Sequence, residues 1–121
     1  MVGSGGGSDA EGRDMTDPAA LVSEAFQAFL REAPEHAHAW GAMVGGLAEA
    51  SALDKKTAAL AYLAVLAAAH LGGGISFHVR AAREAGASRE EVVSAILIGL
   101  PAVGLGVTQV LPAALDAYDA T

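Results

Sequence analysis

The 121-residue chain contains no cysteine. That excludes disulfides, thiolate metal ligands and thiol redox catalysis together. Charge is also scarce: charged residues make up 17% of the sequence, seven basic against fourteen acidic, for a net charge of −7. The few cations are scattered from Arg13 to Arg89, and aromatics reach only 5%, so no basic, aromatic-lined face for nucleic acid is expected. No stretch alternates apolar and polar residues with the period of a strand. His36 and His38 stand two apart rather than four, and no carboxylate–histidine cluster accompanies them, so no metal site is expected. The glycine triplet 72–74 lacks the Lys and Ser/Thr of a phosphate loop, and no cofactor is expected.

What the chain does have is apolar bulk. Hydrophobic residues make up 53% of it, and mean hydropathy is +0.40. Most of that content is Ala, Leu and Val, which with the many glycines suits closely packed helices. A domain of this size has difficulty burying so much apolar surface alone. The membrane is a poor home for the excess. Residues 58–71 are too short to span a bilayer, and residues 92–115 are interrupted by Gly99, Pro101, Gly104 and Gly106. A second subunit is the better one, so a homo-oligomer is expected. The opening lacks the basic-then-apolar pattern of a secretory leader, and a cytoplasmic protein is expected.

Residues 1–8 read MVGSGGGS, a flexible Gly/Ser segment with the composition of a fusion joint. Residues 1–16 are read as a tail and 17–121 as one helical domain. A first helix is expected from Asp17, with Pro18 at its first position and Leu21, Val22, Ala25, Phe26, Phe29 and Leu30 on one face. Pro34 opens a second helix to about Ala50, in which Gly41, Gly45 and Gly46 permit close approach of another helix. Asp54 caps a third over 55–71, apolar nearly all round and so expected to be buried on most sides. A fourth covers 75–85 and stops at Gly86. Ser88 and Glu91 form a capping box for a fifth over 89–100, broken at Pro101. A joint at 104–106 leads to a last helix through Tyr118. The fold class is all-α, a bundle of about six helices.

Three segments carry a further signal: LDKKTAAL at 53–60, HVRAA at 78–82 and GASREE at 86–91. In order and spacing they resemble the LDxKTxEL, HxxAA and GAxxEE elements of the carboxymuconolactone decarboxylase and alkylhydroperoxidase-like (AhpD-like) family. The resemblance covers about 53–118. It implies an oligomer, a trimer or a hexamer. Peroxidase members use a Glu, a CxxC pair, a His between the cysteines and a second His on the next helix. Here the Glu position falls on Ala59, the cysteines on Leu71 and Gly74, and the intervening His on Gly73; only His78 survives. Thiol peroxidase activity is therefore not expected. The decarboxylase branch lacks the CxxC pair and remains open.

A decarboxylase needs groups that bind carboxylates and a group that moves a proton. His78 and His70 are the catalytic candidates, with Tyr62, Ser76 and Arg80 as substrate-binding candidates for a small lactone or carboxylate. Ser76 and Arg80 are four apart on one helix face. Plainer roles compete: packing for His78, and a helix C-terminal dipole contact for His70. Two functions from different classes follow. One is a homo-oligomeric, cofactor-free decarboxylase-like enzyme with His78 in a pocket. The other is a non-catalytic oligomeric scaffold, natural or engineered, which the Gly/Ser start and the missing reactive groups also fit.

Overall fold

The computed structural model describes residues 23–120. Among them are six helices of nine residues or more and no strand. The expected start at Asp17 and the boundary between tail and domain lie outside the described residues. The first described helix, α1 (Glu24–Glu32), begins under Ser23, whose side chain accepts from the Phe26 amide. Helix α2 (Pro34–Ala50) starts, as expected, with Pro34 in its first turn.

Helix α3 (Lys55–Ala68) begins under the Asp54 cap, with the carboxylate 2.7 Å from the Thr57 amide nitrogen. It ends three residues earlier than expected, for a local reason. His70 adopts φ +59°, and the amides of His70 and Leu71 bond the carbonyls of Ala67 and Leu66. These are the paired bonds of a Schellman motif, with histidine where glycine is usual. One turn of 3₁₀ helix at Gly72–Gly74 reverses the chain into α4 (Ile75–Glu84). Gly86, at φ +101°, closes α4 with the same pair of bonds, as its sequence position predicts. The Ser88–Glu91 capping box is formed in both directions at the head of α5 (Arg89–Leu97). That helix also stops short, at Leu97 rather than near 100. A single turn at Leu100–Val103, a 3₁₀ stretch at Leu105–Val110 and α6 (Leu111–Asp119) complete the chain.

The core lies where α3, α4, α5 and α6 meet. Leu63, Ile75, Val79, Val92, Ile96 and Val107 are its largest fully buried side chains. Small residues between them, Ala67, Ala82, Ala114 and Ala117, let the backbones approach and are also solvent-free. The end of α6 is clasped. Arg83 donates to the carbonyls of Tyr118 and Ala120 at 2.9 Å, while the Tyr118 hydroxyl donates to the Ala87 carbonyl at 2.8 Å. Arg89 forms a two-bond ion pair with Asp119. Cations at the unsatisfied carbonyls of a helix end are favourable both as donors and as charges.

Two parts of the chain do not share this burial. No residue of α2 is buried, although its central residues 39–48 carry no ionisable group. Helix α3 is buried along one side only, contrary to the expectation from its composition. Leu63, Leu66 and Ala67 face inward, whereas Ala61, Tyr62, Val65 and Ala69 are exposed. Among the described residues, α4 and α5 and the elements that follow them pack on only that one side of α3.

Candidate functional site

Helices α3 and α4 run side by side from the 72–74 turn, and this brings Tyr62 against His78. Their ring centroids are 4.4 Å apart, with the planes tilted by 43°. Phe77, the chain neighbour of His78, presents an edge to the same imidazole at 5.2 Å. Gly74 lies beneath: a Cβ built there would stand 3.7 Å from His78 Cδ2. The imidazole is thus held by two rings and a bare backbone turn, and it makes no hydrogen bond to any described residue. Burial pushes its pKa down, since the charged form loses more solvation than the neutral one. A neutral imidazole is a proton acceptor at one nitrogen and a donor at the other.

The other expected site residues are dispersed. Ser76 is half-buried on α4, one turn before Arg80. Arg80 shares its helix face as expected, but its guanidinium donates to the Ala120 carbonyl at 2.8 Å, as part of the clasp on α6. The structure therefore does not bring Arg80 to the Tyr62–His78 pair. His70 is likewise separate, with no ring contact to Tyr62 or His78. Its imidazole lies over Gly106, where any side chain would meet the ring. Gly106→Ala is accordingly expected to swing the exposed His70 ring outward. Imidazole resonances would report this as a shift at His70 with none at His78, and shifts at both would show that the two histidines share one site.

Of the positions that the resemblance maps onto reactive groups, Ala59 is half-buried against the core and Leu71 is exposed. Two contributors escaped the sequence reading. Phe77 was discoverable, being adjacent to His78 in the chain. Gly106 was not, because its only sign is a contact with a residue 36 positions earlier.

An open groove of about 540 Å³ runs along the other flank of α3, against α5. Leu60, Ala61 and Ala64 form one wall, Ser94, Ala95 and Ile98 the other. The Lys56–Glu91 ion pair, at 2.9 Å, stands at its end. None of the five expected site residues lines it, so the cavity and the His78 pair are separate features. Glu91 is held below the usual carboxylate range, first by the Ser88 amide it caps and then by Lys56. It is a capping group in an ion pair rather than an acid–base candidate.

No group of three or more His, Asp or Glu side chains able to hold a metal ion occurs among the described residues. No helix among them is long and apolar enough to cross a membrane. Residues 34–119 match the carboxymuconolactone decarboxylase family, which takes in everything from α2 to the end of α6. No curated protein and no solved structure matches the chain.

Proposed function

The chain belongs to the carboxymuconolactone decarboxylase family, and from that premise we propose that it is a cytoplasmic homo-oligomer, a trimer or hexamer, that moves a proton on a small lactone or carboxylate substrate without thiol chemistry. The observation that carries this reading is the Tyr62–His78 pair. It is a half-buried imidazole whose pKa is lowered by burial, packed beside Gly74 of the 72–74 turn, with a phenol in contact. Loss of CO₂ from a carboxylate leaves an electron pair on carbon that must be protonated, and an imidazole beside a hydroxyl can take up and return that proton. The absence of cysteine supports a route without thiol chemistry. His70 and Ser76 are the secondary candidates, on either side of the same turn.

The scaffold reading is favoured by one observation. A carboxylate substrate calls for a cation, and Arg80, the guanidinium expected to supply it, is bonded to Ala120. The deciding experiment offers the protein a panel of carboxylated lactones and β-keto acids. It follows both CO₂ release and the His78 imidazole resonances. Turnover of one member, with His78 shifted by that member, supports the enzyme. No turnover and no shift across the panel leaves the scaffold. Native mass tests the assembly directly, and a monomer would overturn it.

A further inference from the structure

The three glycines of the 72–74 turn are each met by a different element. A Cβ built at Gly72 would stand 3.9 Å from Val110 Cγ1, and one at Gly73 would stand 3.6 Å from Ser23 Cβ. One at Gly74 would stand 3.7 Å from His78 Cδ2. Consecutive glycines have more backbone freedom than any other sequence, so such a turn keeps one shape only where its neighbours impose it. The turn has little hydrogen bonding of its own, its one 3₁₀ bond running from the Ile75 amide to the Gly72 carbonyl.

Two of those three neighbours are anchored. Val110 is buried in the core, and His78 stands on α4, whose Ile75, Val79 and Ala82 have no solvent exposure. The third is not. Ser23 heads α1, and neither α1 nor α2 buries a single residue. These two helices pack on each other more than on any other described element. Trp40 joins them, edge-on to Phe26 at 5.2 Å and to Phe29 at 6.3 Å. The exposed residues 51–54 tie the pair to the body, and their hydrogen bonds are local: the Leu53 amide donates to Ser51 Oγ, and Asp54 caps α3. The α1–α2 hairpin is thus one unit on one tether, with the sparse burial of a segment that opens at low free energy.

We propose that the α1–α2 hairpin is a strap for the Tyr62–His78 site. Seated through Ser23 on Gly73, it holds the 72–74 turn in place beside His78. Swung away on residues 51–54, it leaves the glycines free, the turn loosens and the imidazole opens to solvent. Gly72 and Gly73 stay exposed beneath Ser23, so the strap rests on the turn without burying it and lifts with little loss of apolar contact. The strap rests on the reading of this site as a proton-transfer centre only for its purpose. Its test follows the imidazole itself, so a lack of turnover would count against that reading and not against the strap.

The 3.6 Å between Ser23 Cβ and a Cβ at Gly73 lies within the range of about 3.5–4.5 Å that a disulfide requires, and the chain has no other thiol. Ser23→Cys/Gly73→Cys therefore locks the strap on oxidation and frees it on reduction. Loss of the Ser23 cap is common to both forms and cancels in the comparison. The probe is diethyl pyrocarbonate, which acylates neutral imidazole, with the rate at each of the four histidines read by peptide mass. The expected result is a disulfide within one chain and His78 modified several-fold more slowly when oxidised than when reduced. His36 and His38, exposed on the strap itself, should react equally in both forms. Trp40→Ala removes the ring that joins α1 to α2. It is expected to speed modification of His78 several-fold with helix content largely retained, and the disulfide to reverse this. A disulfide that fails to form, or that forms between chains, would overturn the seat of Ser23 on Gly73. A lock that leaves the His78 rate within twofold would overturn the coupling of strap to site.

Discussion

Leu63→Ala is expected to lower the free energy of unfolding by about 3 kcal/mol, within the range for a leucine removed from a rigid core. Leu63 has no solvent exposure and stands on α3 where α4 and α5 close over it. Its neighbours are helix backbones already brought close by alanines, and these cannot collapse much further into the vacated volume. Domains of this kind have about 5–15 kcal/mol in all, so the loss is a large fraction of the total. Val65→Ala, two residues on, is the control. Val65 points outward at 60% exposure, and within a single copy its truncation should change stability by no more than about 0.5 kcal/mol. Urea titrations at one fixed protein concentration separate the two, since self-association adds a concentration-dependent stabilisation. A Leu63→Ala variant as stable as Val65→Ala would mean that the core is not where α3 meets α4 and α5.

The contrast between these neighbouring residues also shows what sequence could and could not disclose. Local chemistry was legible: Asp54 and Ser88 as caps, Pro34 as a helix opener, Gly86 as a left-handed stop. Each acts through bonds to residues within four positions, so its neighbours in the chain suffice to recognise it. The end of α3 was missed because a histidine occupies the left-handed position, which glycine ordinarily signals. The cap at Ser23 was missed because the apolar period of the sequence runs through it, from Leu21 to Leu30, without a break. Burial was misjudged for α3 because composition reports how apolar a helix is, and not on how many sides other described elements pack against it. The site was legible to the extent that it is local to the turn. His78 and Tyr62 lie on helices joined by the six residues 69–74, so their meeting follows from the hairpin. The fate of Arg80 was not legible, since its partner is a backbone carbonyl 40 residues away that has no side-chain signature.

His78→Gln is expected to reduce turnover of any substrate found for the Tyr62–His78 site by about 100-fold or more, the contribution typical of a positioned acid–base group. Glutamine keeps a planar, hydrogen-bonding head of similar reach, so the fold should survive, but it cannot carry a proton between pH 5 and 8. The same variant has a second signature in stability. The folded-state pKa of His78 is depressed by burial, so between that value and the ordinary imidazole value of about 6.5 the unfolded chain binds more protons than the folded one. Unfolding free energy therefore rises with pH across this window. It is lost as pH falls below about 6.5, and the loss levels off beneath the folded pKa. Wild type should show this decline on acidification and His78→Gln should lack it. Asp54, Glu91 and Asp119 have pKa values lowered mainly by the Thr57 amide, the Ser88 amide and Arg89 respectively. Their contribution is present above the ordinary carboxylate values near 4 and is lost as pH falls through the lower folded values, equally in both proteins. Denaturation midpoints measured from pH 8 to pH 3 thus separate the histidine from the carboxylates by where the curves part. Equal slopes between pH 7 and 5 would place His78 in water in the folded state. A variant that kept its rate within twofold would remove the imidazole from the chemistry and leave Tyr62 and the 72–74 turn as a binding feature alone.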